Sequence, residues 1–200
     1  MCFSNCGYYY KGVDCESGAG PKFWKELGKS GDDYFEIHFI KPCEASPVKK
    51  TVKDALQFAI EHSKSPEQWI YPHYKSGPAD YDLWIKALEQ GNADAFGTAF
   101  NALVWSECRS YAVPFLSEAK SRIPMEYHSL FDDAIGHYQI AYENLKKVSE
   151  LFPCFSVSEE QRVANVKDQS LCQEAIGYLE AAREAEVAGL GCLEKIVKKL

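Results

Sequence analysis

Asn92–Lys120 reads NADAFGTAFNALVWSECRSYAVPFLSEAK. Wound as a helix it is apolar almost all the way round. Phe96, Phe100 and Leu103 lie on one side, Val104 and Cys108 beside them, Trp105 and Ala112 beyond. A helix with no wet face is normally a buried one, so the rest of the chain is expected to pack around this segment. Asn92 is placed to cap its start, and Pro114 should kink or split it. Three polar side chains interrupt the apolar surface. Glu107 points along the Phe96/Phe100 stripe, Asn101 along the Cys108/Ala112 stripe, and Arg109 a third way. Residues two apart on a helix do not face each other, so Glu107 and Arg109 cannot simply pair. An ionised group in an apolar core is costly unless matched, and each therefore needs a partner from another element. On this reading Glu107→Ala destabilises the fold by roughly 2 kcal/mol or more.

Downstream and upstream of this stretch the pattern stays helical. Ser46-Pro47 supplies a cap and a first-turn proline, and Val48, Val52, Ala55, Leu56, Ala59 and Ile60 follow as one stripe. Ser65-Pro-Glu-Gln68 resembles a capping box ahead of Trp69, and Ala79–Gln90 is a helix stopped by Gly91. A helix over about Glu126–Phe152 carries the stripe Phe131, Ala134, Tyr138, Ala141, Leu145, Val148, Phe152, and Pro153 ends it. Ser158-Glu-Glu-Gln161 opens the last helical stretch, which has a break before Lys167. Its stripe Leu171, Ala175, Tyr178, Ala182, Ala185, Gly189 is mostly small, suited to close approach by the bulky Asn92–Lys120 helix.

Residues 1–45 differ in kind. Gly7–Val13 is rich in strand formers, and Tyr34–Ile40 alternates Phe35, Ile37, Phe39 against Glu36 and His38. Pro21–Leu27 lies between them as a short helix closed by Gly28. Two strands alone are marginally stable. The expected fold is mainly α: a bundle of about five helices over 46–200, with a small N-terminal β-hairpin appendage over 1–45.

The net charge of −7 and the lack of a basic stripe argue against a nucleic-acid partner. No apolar run approaches the ~18 residues of a membrane span, and the first residues are too polar for a signal peptide. Eight cysteines in 200 residues fall below the density of a disulfide scaffold, which points to a reducing, cytosolic setting. Cys108, Cys172 and Cys192 read as small buried hydrophobes. Cys2, Cys6, Cys15 and Cys43 lack the paired spacing of a zinc site and read as unpaired thiols.

Three constellations carry candidate chemistry. Tyr81, Trp84, Asn101, Trp105, Glu107 and Arg109 would line a cleft between helices and bind a small molecule; the bland reading is an internal polar network. Asp133 and His137, four apart on one helical face, could contribute to a metal site, although a matched second histidine is missing and a surface pair is the simpler reading. His38 with Cys43 could form a nucleophile pair, but an exposed strand histidine is commoner. Gly18-Ala-Gly20-Pro lacks the spacing of a phosphate loop and is a turn. No cofactor is implied.

Two stretches together resemble a known family: Gly7–Asp14 with Lys22-Phe-Trp-Lys-Glu-Leu27, and Asp80–Glu89 followed by Phe100–Arg109. Their order is similar to the back end of proteins like the butirosin-biosynthesis H acyltransferase. Those have a papain-like N-terminal domain, akin to bacteriocin-leader peptidases, and then a helical domain. The resemblance implies that residues 1–45 are a remnant of the papain-like sheet. It also implies that Asp14 matches the acid orienting the catalytic histidine, here followed by Cys15 where proline is common. The nucleophile and histidine would lie upstream of this sequence, so the chain looks like a truncated or split relative. An orienting carboxylate alone does no chemistry.

The expected function is thus a non-catalytic helical module binding a small molecule or a protein partner. A second reading is an enzyme, metal-dependent through Asp133 and His137 or completed by a separate catalytic chain. A third is a structural domain that homodimerises through the edge of its N-terminal strands.

Overall fold

Side-chain caps fix several of the helix starts. In the computed structural model, which describes residues 2–4, 7–9, 41–42, 44–64, 70–71 and 74–200, Asp94 accepts a hydrogen bond from the Gly97 amide and opens a helix. Ser158 does the same for Gln161, and Asp168 for Ser170 and Leu171. These oxygens satisfy amides that have no partner within the first turn. The expected cap at Asn92 is replaced by Asp94, two residues on. The described residues form six α-helices: α1 (Val48–Lys64), α2 (Pro78–Glu89), α3 (Ala95–Arg122), α4 (His128–Leu151), α5 (Glu159–Lys167) and α6 (Gln169–Lys199). The sixth arises because Asp168 both ends α5 and caps α6, one residue past Lys167. α3 runs unbroken through Pro114, so the expected split does not occur.

The chain divides into two units, Met1–Ala45 and Ser46–Leu200. In the first, β1 (Cys2–Ser4) and β2 (Gly7–Tyr9) pair antiparallel, with Cys2 opposite Tyr9 and Ser4 opposite Gly7. The strand expected over Tyr34–Ile40, with His38, and the helix over Pro21–Leu27 lie outside the described residues. So do Asp14, the side chains of Cys2, Cys6, Cys15 and Cys43, the Ser65–Gln68 box and Trp69.

The second unit is a helical bundle. α4 packs against both α3 and α6, and α6 also touches α1, α2 and α5. All seven residues of the α4 stripe, Phe131 to Phe152, are buried. The small-residue stripe of α6 does receive a bulky neighbour, but from α4 instead of α3: a Cβ on Gly189 would stand 3.0 Å from the Tyr138 ring.

The centre of the bundle therefore belongs to α4 and α6, which corrects the expectation that α3 would occupy it. α3 turns Ala99, Ala102, Ser106, Leu116 and Ala119 inward, while Phe96 and Phe100 stay 50% and 41% exposed and stack on each other at 5.6 Å. The reason is volume. The α4 stripe already carries the large side chains, so the facing helix must offer small ones to approach closely.

The core falls into two clusters strung along α3, α4 and α6. One joins Tyr81, Trp84 and Leu88 of α2 to Leu145, Val148 and Leu179. The other joins Val52, Leu56 and Ile60 of α1 to Leu116, Phe131 and Leu193. Gly77 ends the connection from α1 to α2 at φ +60°, and a Cβ there would run into the Ser63 Oγ. No helix among the described residues is long and apolar enough to cross a membrane.

Candidate functional site

A buried carboxylate marks the boundary between the two core clusters. Glu186 of α6 sits between Ala182, in the first cluster, and Leu190, in the second, and is 6% exposed. Arg109 occupies the corresponding level of α3. Its Nη2 donates to Glu186 Oε1 at 2.5 Å and its Nε to Oε2 at 3.0 Å. The Tyr81 hydroxyl of α2 donates to the same Oε2 at 2.8 Å. Three helices thus meet on one carboxylate. Two parallel bonds from a guanidinium are the geometry that makes such a pair strong.

Aromatic rings close the network on its α2 side. The Arg109 guanidinium lies over the Trp105 ring at 4.9 Å, an arrangement favoured by the ring's negative face. Trp105 meets Tyr81 edge-on at 4.9 Å and Trp84 at 5.9 Å. The Trp84 indole N–H is buried without a hydrogen-bond partner among the described residues.

Arg109, Glu186 and Trp105 of this network line a cleft of about 560 Å³, while Tyr81 and Trp84 lie behind them outside its lining. α1 contributes Leu56, Phe58 and Ala59; α3 contributes Ala112, Phe115 and Leu116; α6 contributes Leu190 and Leu193. The polar lining is sparser. It includes Asp80, from the first turn of α2, with Lys75, Ser76 and His62. Ser76 is itself spoken for, donating to the His62 carbonyl at 2.7 Å. Tyr138 lines the cleft from α4, and its hydroxyl makes no hydrogen bond among the described residues.

Burial governs the protonation of this region. It pushes the Tyr81 phenol well above its ordinary range, and the adjacent Glu186 charge adds to the effect while Arg109 opposes it. Tyr138 is raised by burial and then by Glu186. Both hydroxyls therefore keep their protons at neutral pH, and that of Tyr81 donates to Glu186. Burial works against the Arg109 charge, but Glu186 outweighs it and the guanidinium is held above its usual value. The Asp80 carboxyl is raised by burial, with Arg109 pulling it partly back.

Of the six expected cleft residues, Tyr81, Trp84, Trp105 and Arg109 share one contact network, but only Trp105 and Arg109 line the cleft. The other two do neither. Asn101 and Glu107 are exposed, because α3 presents its small side chains inward, so neither needs an internal partner. Cys108, read as a buried hydrophobe, is exposed at the cleft edge, whereas Cys172 and Cys192 are buried. Asp133 is exposed and His137 only partly covered. Among the described residues no three His, Cys, Asp or Glu side chains gather as metal ligands.

Sequence reasoning missed Glu186, Asp80 and Tyr138 as site residues. For Glu186 a signal was present. It falls in the same helical register as Leu179, Ala182, Leu190 and Leu193, all buried, and a lone acid in an apolar register needs a partner.

Three of the roughly four acceptor sites of the Glu186 carboxylate are taken by Tyr81 and Arg109. The arrangement holds and orients. Compared with protein-family models, with curated proteins and with solved structures, the chain has no match.

Proposed function

We propose that the helical unit is a non-catalytic binding module whose cleft takes a small, largely apolar organic molecule. The observation that carries this reading is the apolar-walled cleft of about 560 Å³ that the Arg109–Glu186 pair lines. Its size lies within the ~300–1,000 Å³ of ordinary ligand pockets, and a few polar groups in an apolar lining are what fixes a ligand's orientation. On the resemblance drawn from the sequence, such a module is related to the helical part of butirosin-biosynthesis-H-like proteins.

The test uses Nile red, a neutral dye that brightens in apolar surroundings. The full chain is expected to bind it saturably at one site. Ala112→Phe, which places a ring where Ala112 lines the cleft, should abolish that binding while the helical circular-dichroism spectrum is kept. A wild-type titration with no saturable phase sinks the proposal. So does equal binding by the filled variant, because the dye would then sit elsewhere, for instance on the exposed Phe96–Phe100 face.

A further inference from the structure

The geometry points to an organic cation as the occupant of the cleft: an apolar or aromatic body bearing an ammonium group, with the Asp80 carboxylate as its counter-ion. The inference rests on the small-molecule reading of the same site and narrows it to one charge class.

The charges lining the cleft do not match internally. Glu186 and Arg109 neutralise each other through two hydrogen bonds. Asp80 is not bonded to that pair, although the Arg109 charge reaches it. It lines the cleft and is partly buried, and its carboxylate makes no hydrogen bond or ion pair among the described residues. Lys75, the other cation in the lining, is exposed and forms no ion pair with it. Among the described residues Asp80 is thus the one carboxylate of the lining that no cation pairs.

A helix-dipole role does not account for this placement. An acid in the first turn of α2 favours the helix start wherever it points, and gains nothing from losing its water. Burial raises its pKa, the mark of a carboxylate whose charged form is under-solvated. A ligand ammonium placed beside it would restore what burial removed. The remaining lining suits the same guest. Phe58, Phe115 and Tyr138 present aromatic side chains to the cleft, and aromatic rings attract organic cations. An anionic guest, by contrast, would meet Asp80 and would find Arg109 already engaged by Glu186.

The experiment compares three isosteric probes by calorimetry with the full chain: 4-phenylbutylamine, 4-phenylbutanol and 4-phenylbutanoate. The amine is expected to bind about tenfold more tightly than the alcohol, the gain of one charge-assisted hydrogen bond, and the carboxylate weakest of all. In Asp80→Asn the ratio of amine to alcohol affinity should collapse towards one. The wild-type ranking needs no variant and stands as the test if that protein does not fold. Equal affinities for amine and alcohol, or tightest binding of the carboxylate, overturn the cation inference while leaving the cleft proposal intact. An undiminished amine preference in Asp80→Asn overturns Asp80 as the counter-ion. If none of the probes binds and Nile red does not either, the cleft proposal itself falls.

Discussion

Replacing Glu186 by alanine removes the single acceptor on which α2, α3 and α6 converge. Arg109, whose side chain is 17% exposed, would keep its charge in a site built for a pair. At an effective dielectric of about 20, two unit charges ~4 Å apart attract by about 4 kcal/mol. The Tyr81 hydroxyl also loses a charged acceptor at 2.8 Å, a bond worth roughly 1.5–3 kcal/mol. Relaxation and water entry return part of this, and breaking a buried pair from one side typically costs about 3–5 kcal/mol. For a domain of this size each kcal/mol moves the midpoint by about 2–4 °C, so Glu186→Ala should melt roughly 6–20 °C below wild type. The assay is thermal melting followed by circular dichroism, with urea titration to check that the m-value is unchanged. The pair Arg109→Met with Glu186→Ala discriminates further, because it removes the stranded charge and should recover about 2 kcal/mol over the single variant. A midpoint for Glu186→Ala within about 1 °C of wild type, or a double variant no more stable than the single, would refute the buried ion pair as described.

Glu107→Ala should change stability by no more than about 0.5 kcal/mol in urea titration, as expected for an exposed site; a loss of 2 kcal/mol would restore the reading of an internal Glu107. Gly77→Ala should cost about 1–3 kcal/mol from backbone strain alone, since φ +60° with ψ −145° suits glycine and the new methyl would press on Ser63; a neutral result in the same titration would exclude that close approach. Asp80 has a folded pKa raised by burial, so its protonated form contributes stability that is complete below the unfolded carboxylate range and is lost as pH rises through the folded value. Melting curves across pH should therefore show wild type losing ground to Asp80→Asn as pH rises, and a gap that is constant or runs the other way contradicts the burial of that carboxyl.

The α4 helix was legible because its apolar residues point one way. Phe131, Ala134, Tyr138, Ala141, Leu145, Val148 and Phe152 recur at helical spacing between polar neighbours, and every one is buried. α3 resisted the same treatment. With apolar side chains on all sides, periodicity gives it no inward direction, and weighting by bulk selects Phe96, Phe100 and Leu103, which face out. What orients α3 is complementarity to α4, a relation between two helices that neither sequence stretch contains alone. The need of Arg109 for a distant partner followed from its setting, but the identity of Glu186, 77 residues later, required the packing of α6. Asp80 was less visible still, since an acid in a first helical turn has an ordinary explanation until the cleft beside it is known.

Pro114 has a consequence for one wall of that cleft. Lacking an N–H, it leaves the Ser110 carbonyl without the main-chain donor that a residue at this place in α3 normally supplies, yet the helix continues for two further turns. The missing bond lies in the same stretch as Ala112, Phe115 and Leu116, which form one wall of the cleft. A turn with one main-chain hydrogen bond fewer should exchange its amides faster than the rest of α3, which deuterium exchange can read.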